Sequence, residues 1–231
     1  MGQSGAESRF QHVVPDPVQV PLWLDLPAVV VSALGGALVG ARRHFDLFGI
    51  IGLGLVTGLS GGLIRDILLN QLPVALKSPW YIVAALTASL VIVLSARLVD
   101  RALVLLVVLD AAALGLYGVT GINKTLALGL GMWPAVLVGL IAALGGGALR
   151  DISTANPPEI FRKGGQLYAT AVFAGLIAYL IAWNLGASEI ETAVIGTAVT
   201  FIVRILAWRF NWVLPGPLQV PGGSTPRAGG E

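Results

Sequence analysis

Residues 58–66 read GLSGGLIRD, and residues 143–151 read ALGGGALRD. Both place an arginine and an aspartate directly behind glycines inside a long apolar run. A shift of 85 residues superimposes the two phrases. Over 61–73 against 146–158 it gives six identities in thirteen positions: two glycines, Arg, Asp, Ile and Pro. The same shift carries Asp25 onto Asp110, Gly36 onto Gly121, Gly54 onto Gly139 and Lys77 onto Arg162.

Outward from these phrases the chain is unusually greasy. Of its 231 residues 56% are hydrophobic and 11% charged, against about 25% charged in soluble domains. A surface built from so few charges suits lipid, so the expected fold class is an all-α membrane protein. Without cysteine and with two histidines, His12 and His44, the chain lacks the usual ligands for a structural metal site, and no metal or cofactor is expected. No basic cluster is interleaved with aromatics, which argues against nucleic acid as a partner.

Apolar runs of about 20 residues predict seven transmembrane helices, at 24–41, 46–70, 80–97, 102–122, 132–153, 166–184 and 189–208. All six tryptophans fall near a predicted end, as interfacial aromatics do. The expected organisation is a flexible N-terminal tail (1–22), a three-helix repeat (23–101), a second (102–185), a seventh helix (186–212) and a disordered C-terminal tail (213–231). Eight Lys/Arg residues gather near span ends on one side: Arg42, Arg43, Arg97, Arg101, Arg162, Lys163, Arg204 and Arg209. Three gather on the other: Arg9, Lys77 and Lys124. The positive-inside bias predicts a multi-pass cell-membrane protein, N-terminus outside and C-terminus cytoplasmic. Three spans separate the copies, so the second is inverted: an inverted 3+3 repeat plus a seventh helix. Transporter folds with this plan place their sites where interrupted helices meet near the bilayer middle.

Duplicated packing would account for the glycines but not for two buried Arg-Asp pairs, each residue costing about 2.5–3.5 kcal/mol at a helix centre. Ser60, Gly61 and Gly62, with Gly145, Gly146 and Gly147, are therefore read as kink positions lining a pore. Arg65, Asp66, Arg150, Asp151 and Asp110 are read as its charges. Arg150 is expected to pair with Asp110 or with its own neighbour Asp151; adjacent helical residues point about 100° apart, which favours the partner on another helix, and Asp25 is the corresponding partner for Arg65. Lys124 has no repeat counterpart, since Val39 stands there. It reads either as a snorkelling anchor or as a movable gate charge. Arg204 reads as snorkelling to the cytoplasmic face, and Glu189 and Glu191 as helix N-terminal residues.

Gly58 to Gly62 also satisfies G-x-S-x-G. A serine nucleophile needs a base within hydrogen-bond reach. His44 lies 16 residues away, roughly 24 Å of helical rise, and His12 is in the tail, so no enzyme is expected.

The doubled Gly-Gly-x-x-Arg-Asp phrase and the three-plus-three plan resemble the prokaryotic branch of the trimeric intracellular cation channel family, over residues 24–210. The resemblance implies a homotrimer in the lipid bilayer, with one pore per subunit lined by glycine-kinked second and fifth spans. It implies a monovalent cation channel passing potassium, weakly selective over sodium, with K+ or Na+ as permeant ions. Animal members carry a Lys-Glu-Val motif and bind an inositol lipid; the motif is missing here. The residues leave a second function class open, a secondary transporter of a small amino acid such as glycine.

Overall fold

The structure is a computed structural model that describes residues 21–95, 102–162 and 167–213. The predicted tails lie almost wholly outside these residues, as do Arg9, Arg97, Arg101 and Lys163. Eight α-helices are described: α1 (Leu22–Arg42), α2 (Leu47–Leu68), α3 (Val74–Lys77), α4 (Pro79–Leu94), α5 (Ala102–Ala127), α6 (Met132–Ser153), α7 (Tyr168–Asn184) and α8 (Glu189–Arg209). A 3₁₀ turn, Glu159–Phe161, precedes α7. Among these, α1, α2, α5, α6 and α8 are long and apolar enough to cross a membrane. The helices α4 and α7 are also apolar, at 16 and 17 residues.

Two elements differ from the sequence reading. The four-residue α3 was not expected, because one helical turn is too short to leave a hydrophobic period. The fifth helix continues to Ala127 rather than ending near 122. Lys124 therefore lies within its last turn and not in a loop.

The helix ends repeat at the 85-residue shift. His44 (φ 57°) and Gly129 (φ 74°) follow α1 and α5, while Asn70 (φ 51°) and Ala155 (φ 54°) follow α2 and α6. All four are left-handed closures of the kind that ends helices. Behind the second pair the amides of Gln71 and Asn156 donate to the carbonyls of Asp66 and Asp151, each at 2.8 Å.

The core sits where α1, α2, α5 and α6 meet, and small residues set its spacing. A Cβ at Gly61 would come within 2.8 Å of the Ala142 carbonyl oxygen, and one at Gly146 within 3.0 Å of that of Thr57. Both α2 and α6 remain continuous α-helix through these glycines. The missing side chains at these positions serve close approach of the two helices. Outward faces are apolar: Val56, Leu86, Leu90, Val91, Leu137 and Ile202 are exposed, as lipid-facing residues are. The tryptophans Trp23, Trp80, Trp133, Trp183 and Trp212 are exposed at or just beyond helix ends.

Candidate functional site: two buried charge clusters

The end of α2 carries Arg65 into a fully enclosed cluster. Its Nη1 and Nη2 donate to the two carboxylate oxygens of Asp25 on α1, at 2.7 and 3.1 Å. Its Nε donates to Asp66 Oδ1 at 2.8 Å. Lys124 Nζ reaches the same Asp66 oxygen from α5, also at 2.8 Å. The Val74 amide, opening α3, donates to Asp66 Oδ2 at 2.9 Å, and the Tyr81 hydroxyl of α4 donates to Asp25 Oδ2 at 3.2 Å. Arg65, Asp66 and Lys124 are 0% exposed and Asp25 is 1% exposed. Two cations and two carboxylates balance, which is the condition for holding charge in a low-dielectric interior.

The end of α6 repeats the arrangement. Arg150 Nη1 donates to Asp110 Oδ1 of α5, and Nε to Asp151 Oδ1, each at 3.0 Å. The Glu159 amide, 85 residues after Val74, donates to Asp151 Oδ2 at 3.1 Å. The Tyr168 hydroxyl donates to Asp110 Oδ1 at 3.2 Å.

The Arg65 cluster joins the N-terminal part of α1 to the C-terminal end of α5. Arg150 meets the N-terminal part of α5 and shares a cavity with Val39, Arg42 and Arg43 at the C-terminal end of α1. The clusters therefore stand at opposite ends of these two helices.

They differ in closure. The cavity beside Arg150 holds about 370 Å³ and is bordered also by Asp151, Asn156 and Glu159. A small pocket bordered by Ser32, Thr57, Asp110 and Gly147 lies just behind Arg150. Val39, the repeat equivalent of Lys124, lines the cavity, so the ammonium that seals one end has no counterpart at that position of the other. Between the ends, α1, α2 and α5 bring hydroxyls together. Ser32 and Ser60 both donate to the Thr57 carbonyl, at 3.0 and 3.2 Å, and the Tyr117 hydroxyl donates to the Gly58 carbonyl.

The structure corrects three sequence expectations. Arg65 and Arg150 each bind their own neighbour as well as a partner helix, because a long arginine folds back across the 100° that separates adjacent residues. Lys124 does not snorkel; it is buried on Asp66. Arg204 does not snorkel either. It is 5% exposed, its guanidinium lies 4.8 Å from the centroid of the Tyr168 ring, and its Nη2 is 3.9 Å from Glu159 Oε1. Glu191 caps α8 reciprocally with Ser188, and Glu189 accepts from Asn123.

Sequence reasoning missed Tyr81 and Tyr168. They are 87 residues apart and fall out of the 85-residue register; allowing a two-residue offset among four tyrosines would have paired them. Ser60 is 3% exposed with its hydroxyl committed to Thr57, while His44 is exposed beyond the opposite end of α2. No serine–histidine pair exists there.

The family model described as Glycine transporter matches residues 22–97 and 107–184, which takes in both phrases and both clusters. The chain belongs to this family. Its relatives include UPF0126 inner membrane protein YadS of Escherichia coli, 35% identical over 84% of this chain and 94% of that one. A UPF0126 membrane protein of Deinococcus radiodurans is 39% identical over 66% of this chain and 72% of its own length. The family shares its fold with prokaryotic trimeric intracellular cation channels. The orthologue from Rhodobacter sphaeroides superimposes with a TM-score of 0.76 at 32% identity, covering 82% of this chain and 97% of that one. This is a multi-pass membrane protein, and the relatives it resembles are membrane proteins and cation channels.

Proposed function

We propose that the chain forms a channel for monovalent cations, passing potassium with weak preference over sodium, with one passage per subunit of a homotrimer. We read its two halves as an inverted repeat within a seven-span protein, N-terminus outside and C-terminus cytoplasmic. The passage follows α1, α2, α5 and α6 from the Arg65 cluster on the outer side to the Arg150 cluster on the inner side. Gly61, Gly62, Gly145, Gly146 and Gly147 let these helices approach, and Ser60 adds a hydroxyl to the wall.

One observation carries this reading: clusters of paired arginine and aspartate occupy both ends of the same helices, one sealed by Lys124 and the other open to a cavity of about 370 Å³. Fixed arginines would repel cations. Their carboxylate partners cancel that field, leaving a polar, nearly uncharged route that discriminates weakly. In this conformation the Asp66–Lys124 contact is the closed gate. The likeness to a cation channel of R. sphaeroides supports the same assignment.

The second reading, a secondary transporter of a small amino acid such as glycine, is favoured by the family's description and by a conformation open at one end only, as alternating access requires. Purified protein in planar bilayers under a potassium gradient separates the two. Discrete single-channel currents are expected. Silent bilayers, together with glycine uptake into liposomes by the same preparation, would replace the channel by the carrier.

A further inference from the structure

The two clusters are unequally supplied with charge. Around Arg65, two cations meet two carboxylates. Around Arg150, one cation meets two carboxylates, Asp110 and Asp151, and the Lys124 position is taken by Val39. A buried cation reaches the surroundings of this cluster from outside the duplicated halves, from α8.

Arg204 touches both arms that hold Arg150. On one side it lies over the ring of Tyr168, whose hydroxyl holds Asp110. On the other it approaches the carboxylate of Glu159, whose amide holds Asp151. A second cation, Arg162, engages Glu159 at 2.9 Å, but it is exposed, so Arg204 is the buried member of the pair.

The position of Arg204 is fixed by close packing of α8 on α7. A Cβ at Gly175 would come within 2.6 Å of the Gly196 carbonyl oxygen, and one at Gly196 within 3.1 Å of Tyr179 Cβ. A displacement of α7 would carry α8, and Arg204, with it.

We infer that Arg204 is a positioning residue for the Arg150 cluster: through Tyr168 and Glu159 it holds both carboxylates that hold Arg150, and so ties α8 to the side chains that stand between the open cavity and the pocket behind them. Lys124 acts directly on Asp66 at the other end; Arg204 acts one contact removed. The consequence for permeation rests on the passage proposed above, but the positioning does not.

The test reads access rather than current. The chain has no cysteine, so Ser32→Cys introduces a single thiol in the pocket behind Arg150. Full-length protein in sealed membrane vesicles is treated with a charged, membrane-impermeant methanethiosulfonate from each face separately. Arg204→Gln should raise the modification rate from the Arg150 face by about tenfold, the scale of one lost desolvated cation–π contact, and leave the Arg65 face unchanged. Arg204→Lys, which keeps the charge over the ring, should restore most of the protection. Glu159→Gln should give a smaller rise, because the Tyr168 arm survives, and it carries the test if Arg204→Gln fails to fold. Unchanged rates in both glutamine variants would overturn the inference. So would an equal rise from both faces, which marks general loosening of the helices. Absent currents with the one-sided rise intact would sink the channel reading and leave the positioning role standing.

Discussion

Lys124 Nζ and Asp66 Oδ1 meet at 2.8 Å with neither side chain exposed, joining the last turn of α5 to the last turn of α2. Asp66 retains Arg65 and the Val74 amide without it. The lysine is thus the one cation of that cluster whose removal leaves both carboxylates still paired with a cation.

Lys124→Met should therefore open the Arg65 end without unfolding the protein. The expected result is a higher open probability in planar bilayers, with a small change in thermal midpoint in detergent. Unchanged gating would assign the Lys124–Asp66 contact to stability alone.

Asp25→Asn and Asp110→Asn should differ. Asp25 accepts both Arg65 Nη nitrogens in a site closed to solvent, and breaking such a pair costs about 3–5 kcal/mol. Asp110 is 11% exposed and faces an arginine that borders a cavity, so water can repay part of its loss. Chemical or thermal unfolding in one detergent should rank Asp25→Asn clearly below Asp110→Asn.

Glycine substitutions separate packing from kinking. Gly61→Ala and Gly146→Ala each press a methyl against a carbonyl oxygen of the facing helix, within 2.8 and 3.0 Å, and should cost about 1–3 kcal/mol. At Gly62 nothing lies closer than 3.8 Å. There alanine should be neutral or stabilising, by up to about 1 kcal/mol from helix propensity. Equal damage at 61 and 62 would favour a bend over a contact.

Ala155 holds φ 54° after α6, where its repeat counterpart is Asn70. A Cβ in the left-handed region costs roughly 1–2 kcal/mol. Ala155→Gly should raise the thermal midpoint, and Asn70→Gly should do less, since asparagine tolerates the conformation.

Much of this architecture was legible beforehand for a physical reason. A lipid-crossing helix must be apolar for most of its length, so an Arg-Asp phrase within one stands out, and its recurrence after 85 residues marks two related places. Asp25 and Asp110 were found the same way. The glycines were legible as special but not as to purpose, because close approach and bending ask for the same missing side chain. Tyr81, Tyr168 and the amides of Val74 and Glu159 left little trace, being an ordinary aromatic and a backbone group.

The sequence by itself determined the membrane class, the approximate helices and the duplicated pairs, since hydropathy and repetition are properties of the chain's order. Only the tertiary structure decided that Lys124 seals one cluster, that Val39 leaves the other beside a cavity, and that Arg204 reaches in from α8. A buried charge is set by what surrounds it in space, and those neighbours come from helices up to 58 residues away along the chain.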